Sequence, residues 1–391
     1  MRAARLPALL LLGLVAAACA TPRHAPGALP DLRPGERPAL DTDEAGLWMQ
    51  MDRLEEALRT SGTLLGDASV ERYLGGVLCR LAPDYCGSVR LYVVQTPHFN
   101  ATMAPNGVLQ VWTGLLLRAE NEAQLAYVLG HELGHYLRRH SLQMWRDVRL
   151  KTNVVAFFSV LAAAAGQGYA GPLAQLVALG SVLAFSRDNE READEVGFEL
   201  MARAGYDPRE APRIWEALER EREAAGRSAP LIFFATHPPT AERIATLREQ
   251  AERAYAPEQV WRVGRAEWVA ATARIRPVLL RDELRLRDFA RTAVLLDRLL
   301  AAEPRSGLLR FYQGEMFRLR AGEGDEGRAL AAYERALAAD DPPVEIHRSV
   351  GLLRLRRGER VQARAAFERY LAAVPAAEDR AMIESYLERL R

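Results

Sequence analysis

Asn121-Glu122-Ala123-Gln124-Leu125-Ala126-Tyr127-Val128-Leu129-Gly130-His131-Glu132-Leu133-Gly134-His135 is the stretch on which the reading of the whole chain turns. Its apolar residues recur at helical spacing, so the two histidines, four apart, lie on the same side of one helix. Two imidazoles so placed can reach a single ion. Zinc suits the set, because a catalytic zinc commonly takes two neutral imidazoles and one carboxylate and leaves a position open for water. Glu132 is then placed as a general base, taking a proton from the water that attacks a peptide carbonyl and passing it to the leaving amine. The plainer reading is a pair of helix-surface histidines beside a solvated glutamate.

A third ligand decides between them. Ser186-Arg187-Asp188-Asn189-Glu190-Arg191-Glu192-Ala193-Asp194 sets Glu190 and Asp194 four apart, so a second helix can present one carboxylate to the metal while the other bonds the outer N–H of a ligating histidine. The succession H-E-x-x-H, then E-x-x-A-D preceded by Ser-Arg, resembles the HtpX/BepA-type zinc metalloprotease family. Thr236-His237-Pro238-Pro239-Thr240-Ala241-Glu242-Arg243-Ile244 adds a third family mark in the same order. The resemblance covers roughly residues 46–250. It implies one zinc held by His131, His135 and Glu190, with Glu132 as general base and Asp194 in support.

The same resemblance offers His237 as a residue that could take the water position and hold the enzyme latent, since a fourth protein ligand closes an open site. Transition-state hydrogen bonding and a structural loop role remain its alternatives. Arg243 either stabilises an oxyanion or pairs with an acidic neighbour. His140, five beyond His135, lies about 140° off the metal face on a continuous helix and is expected to be solvated or bonded locally.

Two short β segments, Val89 to Val94 and Val108 to Trp112, precede the metal helix, with Pro105-Asn106-Gly107 as a turn signal between them. By resemblance, the strand at 108–112 lines the cleft and pairs with substrate backbone. The turn carries Asn106-Gly107 where relatives often have two glycines. Val154 to Ala165 and Pro172 to Phe185 are apolar runs too short to span a bilayer, expected as a helical hairpin either buried against the catalytic helices or partly exposed as a cap or membrane-facing plate over the cleft.

Residues 1–18 read as a secretory signal: Arg2 and Arg5 form a positive start, followed by an apolar run ending Ala16-Ala17-Ala18-Cys19. Small residues before a cysteine resemble a bacterial lipoprotein cleavage site, which makes Cys19 the lipid-modified first residue and, with Ala20 next, favours the outer membrane. Residues 19–45, rich in proline, are expected as a tether. Cys79 and Cys86 could close a small loop in an oxidising compartment, or pack as two thiols. The net charge of +1 gives no basic surplus for a nucleic-acid partner, and 49% hydrophobic content is enough for real cores.

Toward the C-terminus the chain repeats. Ala331-Ala332-Tyr333-Glu334-Arg335-Ala336-Leu337 matches Ala365-Ala366-Phe367-Glu368-Arg369-Tyr370-Leu371 at an offset of 34, the tetratricopeptide period. The expected fold is mainly α with a small β-sheet: a zincin-type metalloprotease domain over 46–255, a linker over 256–280, and a TPR-like α-solenoid over 281–391. The expected function is a periplasmic zinc endopeptidase of outer-membrane-protein quality control. It would act on unfolded or misassembled proteins and meet the assembly machinery through its repeats. The rival is a chaperone-like scaffold lipoprotein with a silent metal site.

Overall fold

A buried helix, α4 (Glu122–Leu137), runs through the middle of the N-terminal half, and nearly every residue along it is hidden from solvent. The computed structural model describes residues 29–151, 185–226, 233, 237 and 241–391. The apolar runs at 154–165 and 172–184, the signal and Cys19 lie outside the described residues. Before α4 come α1 (Asp43–Thr60), α2 (Ala68–Leu81), β1 (Arg90–Val94), β2 (Ala101–Met103), β3 (Val108–Trp112) and α3 (Thr113–Arg118). Helix α2 starts where Asp67 Oδ1 accepts from the N–H groups of Ser69 and Val70, and it buries Val70, Leu74, Val77, Leu78 and Leu81. Cys79 in this helix is joined to Cys86 by a disulfide.

The sheet corrects one expectation. Its order is β1-β3-β2, with β1 parallel and β2 antiparallel to β3. The strand at 108–112 is therefore central, with all five residues buried and both edges occupied. Pro105-Asn106-Gly107 closes a hairpin with the three-residue β2, which the sequence signal was too short to reveal. The edge strand beside α4 is thus Ala101–Met103.

Two segments expected to be loosely attached are docked. From Asp31 onward the chain belongs to the main compact unit. Leu32 is 2% exposed and its N–H donates to Leu137 O at 2.9 Å, so the tether expected over 19–45 has ended by then. The segment is held by the buried Leu32, by Asp31 paired with Arg138 at 2.8 Å, and by Leu32 O accepting from Tyr85 OH at 2.7 Å. The expected linker over 256–280 likewise packs inward. It forms α9 (Arg265–Thr272) and opens α10 (Arg276–Arg285). Its Trp268, Ile275, Leu279 and Leu280 are core residues, and Trp268 Nε1 donates to Ala119 O at 2.7 Å.

Between α4 and α9 lie α5 (His140–Lys151), α6 (Arg187–Arg203), α7 (Glu210–Ala225) and α8 (Ala241–Ala254). Beyond α10 follow α11 (Phe289–Ala302), α12 (Gly307–Arg320), α13 (Asp325–Leu337), α14 (Ile346–Arg356), α15 (Arg360–Ala373) and α16 (Arg380–Arg389). Arg118 at the end of α3 is buried between Glu221 of α7 (2.7 Å) and Glu283 of α10 (3.0 Å). That ionic joint ties the metal-helix half to the C-terminal helices. Helices α12/α13 and α14/α15 repeat one packing: a β-carbon on Gly314 would fall 2.4 Å from the Tyr333 ring, and one on Gly351 2.5 Å from the Phe367 ring. Tyr333 and Phe367 occupy matching positions of the 34-residue offset, so the repeat in sequence is a repeat in packing. Among the described residues no helix is long and apolar enough to cross a membrane.

Candidate metal centre

Helix α4 begins where Asn121 Oδ1 accepts from Gln124 N–H at 2.9 Å, and α6 where Ser186 Oγ accepts from Asn189 N–H at 3.1 Å. The two helices cross at a contact lined by Gly130, Gly134 and Gly197. A β-carbon on Gly134 would meet the Cα of Ala193 at 2.9 Å. Side chains that small let the backbones approach closely, and the approach carries Glu190 to the two histidines.

Four buried donors converge there: His131, His135, Glu190 and His237, with ligand atoms all within 4.8 Å of one another. His131 Nε2 lies 3.2 Å from His135 Nε2 and 3.3 Å from His237 Nδ1. Glu190 Oε1 lies 3.4 Å from His135 Nε2 and 2.9 Å from His237 Nδ1. A tetrahedral ion with bonds of roughly 2.0–2.1 Å has ligand–ligand edges of roughly 3.3–3.4 Å. His131 Nδ1 faces Asp194 Oδ1 at 3.0 Å, so the ring turns its Nε2 toward the other donors, and three imidazole nitrogens and a carboxylate meet at one buried point. The set fits a divalent cation.

The surroundings hold these groups in place. Asp194 also accepts from Tyr127 OH (2.7 Å), which in turn accepts from Trp215 Nε1 (3.2 Å). Arg243 donates to both oxygens of Asp194 (2.6 and 2.8 Å) and forms an ion pair with Glu190 Oε2 at 2.6 Å, so it balances the charge of the site's carboxylates. Burial alone would raise the Asp194 carboxyl, but Arg243 and His131 outweigh it and bring it down to about 2. The ring of Phe233 stacks on His237 at 4.5 Å, and Phe185 stacks on His135 at 3.8 Å.

Glu132 sits under the edge strand. Burial pushes its carboxyl above the ordinary range, against the lowering influence of His237 and His131. Its Oε1 makes no hydrogen bond among the described residues and stands 3.7 Å from His237 Nε2.

His140 departs from expectation. It is fully buried, and its Nδ1 lies 3.0 Å from His135 Nδ1. The helical projection failed because α4 stops at Leu137: Arg139 takes a left-handed backbone (φ 57°), held by Glu44 at 2.6 Å, and α5 starts afresh at His140. The sequence reading also passed over Glu192, Phe185 and Phe233.

A helix presenting two histidines and a glutamate, crossed by a second that returns a carboxylate, defines a metallopeptidase-type domain. Residues 70–251 match the model of Peptidase family M48. Among curated relatives, the chain is similar to the mitochondrial metalloendopeptidase OMA1 of Schizosaccharomyces pombe, at 35% identity over 41% of this chain and 45% of that protein. It is also similar to the beta-barrel assembly-enhancing protease of Escherichia coli, at 30% over 53% of this chain and 44% of the relative. A putative beta-barrel assembly-enhancing protease of Vibrio cholerae is 27% identical over 67% and 56%. The chain spans about half the length of these relatives.

Proposed function

We propose that this protein is a zinc-dependent endopeptidase of the bacterial periplasm, tethered to the outer membrane through a lipid on Cys19. Its task is quality control of outer-membrane proteins, and it is latent while His237 stays in place. The observation that carries the reading is the convergence of His131 Nε2, His135 Nε2 and Glu190 beside Glu132. Zinc bound there would supply an acidified water and polarisation of a carbonyl. Glu132 Oε1 is the acceptor for the proton released on attack, and its raised affinity for that proton suits a base that must later deliver it to an amine. Asp194, held ionised by Arg243, keeps the His131 proton on Nδ1.

Latency rests on His237 Nδ1, which stands 3.3 Å from His131 Nε2 and 2.9 Å from Glu190 Oε1, among the donors where a fourth ligand would sit. The edge strand Ala101–Met103, paired on one side only, is the candidate rail for an extended substrate. Relatives named for β-barrel assembly favour outer-membrane proteins as substrates. The Cys79–Cys86 disulfide suits an oxidising compartment.

The C-terminal hairpins are read as tetratricopeptide-like. A cleft of about 900 Å³, lined by residues including Leu284, Phe311, Tyr312, Tyr370 and Arg348, gives them a concave surface for substrates or the assembly machinery.

The test is to purify the chain without its signal, measure bound zinc, and follow cleavage of an unfolded protein by wild type and Glu132→Gln. Zinc in both, with cleavage lost only in the variant, supports the proposal. Stoichiometric zinc with no cleavage by wild type, even after the His237→Ala change, would leave the scaffold reading in its place.

A further inference from the structure

The two histidines of the metal helix are steadied differently. His131 Nδ1 faces a carboxylate directly, Asp194, and that carboxylate is backed by Arg243. His135 Nδ1 faces another imidazole, His140, whose Nε2 lies 3.1 Å from Glu192 Oε2, and Glu192 Oε1 is backed by Arg138 Nε at 3.1 Å. Three of these links can be satisfied together in only one direction. Glu192 accepts, so the His140 proton is on Nε2. His140 Nδ1 is then an acceptor, so the His135 proton is on Nδ1. The nitrogen left bare on His135 is Nε2, the one turned toward Glu190 and His131.

We propose that His140, oriented by Glu192, is a positioning residue for the metal centre. It accepts the Nδ1 proton of His135 and thereby fixes both the tautomer and the ring orientation that present Nε2 to the ion. The inference rests on the metal-centre reading above and adds a residue to it. A merely space-filling His140 would have no reason to align with a carboxylate on a different helix. Phe185, stacked on the His135 ring, restrains it from the face, and His140 restrains it from the edge. Glu192 is 41% exposed in its side chain, so the chain of bonds ends at the surface.

The experiment measures zinc dissociation constants of the full mature chain by chelator competition for wild type, His140→Phe, His140→Gln and Glu192→Gln. Visible spectra of the cobalt-substituted proteins and the melting temperature of each metal-free form accompany them. Loss of a group that orients a metal ligand typically costs roughly 10- to 100-fold in affinity. His140→Phe is expected to weaken zinc binding by that factor and alter the cobalt spectrum. Glu192→Gln should weaken binding less, and His140→Gln, which restores an acceptor, should recover part of the loss. Unchanged affinity and spectrum in both His140→Phe and Glu192→Gln would overturn the inference while leaving the metal centre intact. Wild type that binds no zinc would overturn the metal-centre reading itself. Should His140→Phe melt far below wild type, the decision passes to Glu192→Gln, whose substitution lies at the surface.

Discussion

Gly197 backs onto His131 so closely that a β-carbon there would stand 2.6 Å from the main-chain nitrogen of His131 and 2.9 Å from its Cα. The contact is backbone against backbone, so no side chain can move to relieve it. Gly197→Ala should push α6 away from α4, at a cost of about 1–3 kcal/mol for an overfilled contact. Because Glu190 rides on α6, zinc affinity should fall more than stability does. Denaturant melts alongside chelator competition check this, and an alanine variant with wild-type affinity would mean that the crossing does not set the site.

His237→Ala is expected to raise cleavage of an unfolded protein severalfold while lowering zinc affinity. It removes one of four converging donors but none of the three on the two crossed helices. Initial rates at saturating zinc are the measurement. A fall in rate would assign His237 to the chemistry and end the latency proposal.

Arg118 is 1% exposed and bonded to two carboxylates that are themselves buried. Arg118→Met leaves Glu221 to Arg298 (3.2 Å) and Glu283 to Arg291 (3.5 Å), and removing one partner from a buried ion pair typically costs about 3–5 kcal/mol. The triple replacement with Glu221→Gln and Glu283→Gln should recover much of it. Urea unfolding of the three proteins would show whether charge, and not shape, is what Arg118 supplies.

Stability should respond to acid through Asp325. Arg320 holds its carboxyl well below the ordinary range against the cost of burial, and Gly322 N–H and Arg328 add to the effect. A carboxyl depressed on folding contributes stability that is complete above its unfolded value near 3.8 and lost as pH falls below it. Asp325→Asn should therefore melt lower than wild type at pH 6, with the gap closing as the pH is taken down toward 3. A gap independent of pH would place the effect elsewhere.

The metal cluster was legible because spacing on a helix is local information: His131 and His135, like Glu190 and Asp194, need only a helix to share a face. His140 was not, because its position depends on Arg139 ending α4, and that turn is stabilised by Glu44, 95 residues earlier in sequence. Strand order failed for the same reason. The alternation at 108–112 announces a strand, but its central place depends on a three-residue partner, Ala101–Met103, too short to leave a pattern. Trp268 and Leu32 were misplaced because segment composition averages away the one or two apolar residues that anchor a connection. The C-terminal hairpins were visible through Tyr333 and Phe367, since a repeated packing solution needs a repeated aromatic.

The Arg118 joint bears on where the chain can be cut. The stretch shared with Peptidase family M48 ends at residue 251, yet Arg118 needs Glu283, and the buried Glu122 takes a bond from Arg262 at 2.7 Å. A fragment trimmed to the shared stretch would take one of two carboxylates from Arg118, which keeps Glu221, and one of two arginines from Glu122, which keeps Arg80. Cutting at the boundary that kinship alone would suggest is therefore expected to cost stability, whereas a piece that runs on past Glu283 keeps both joints whole.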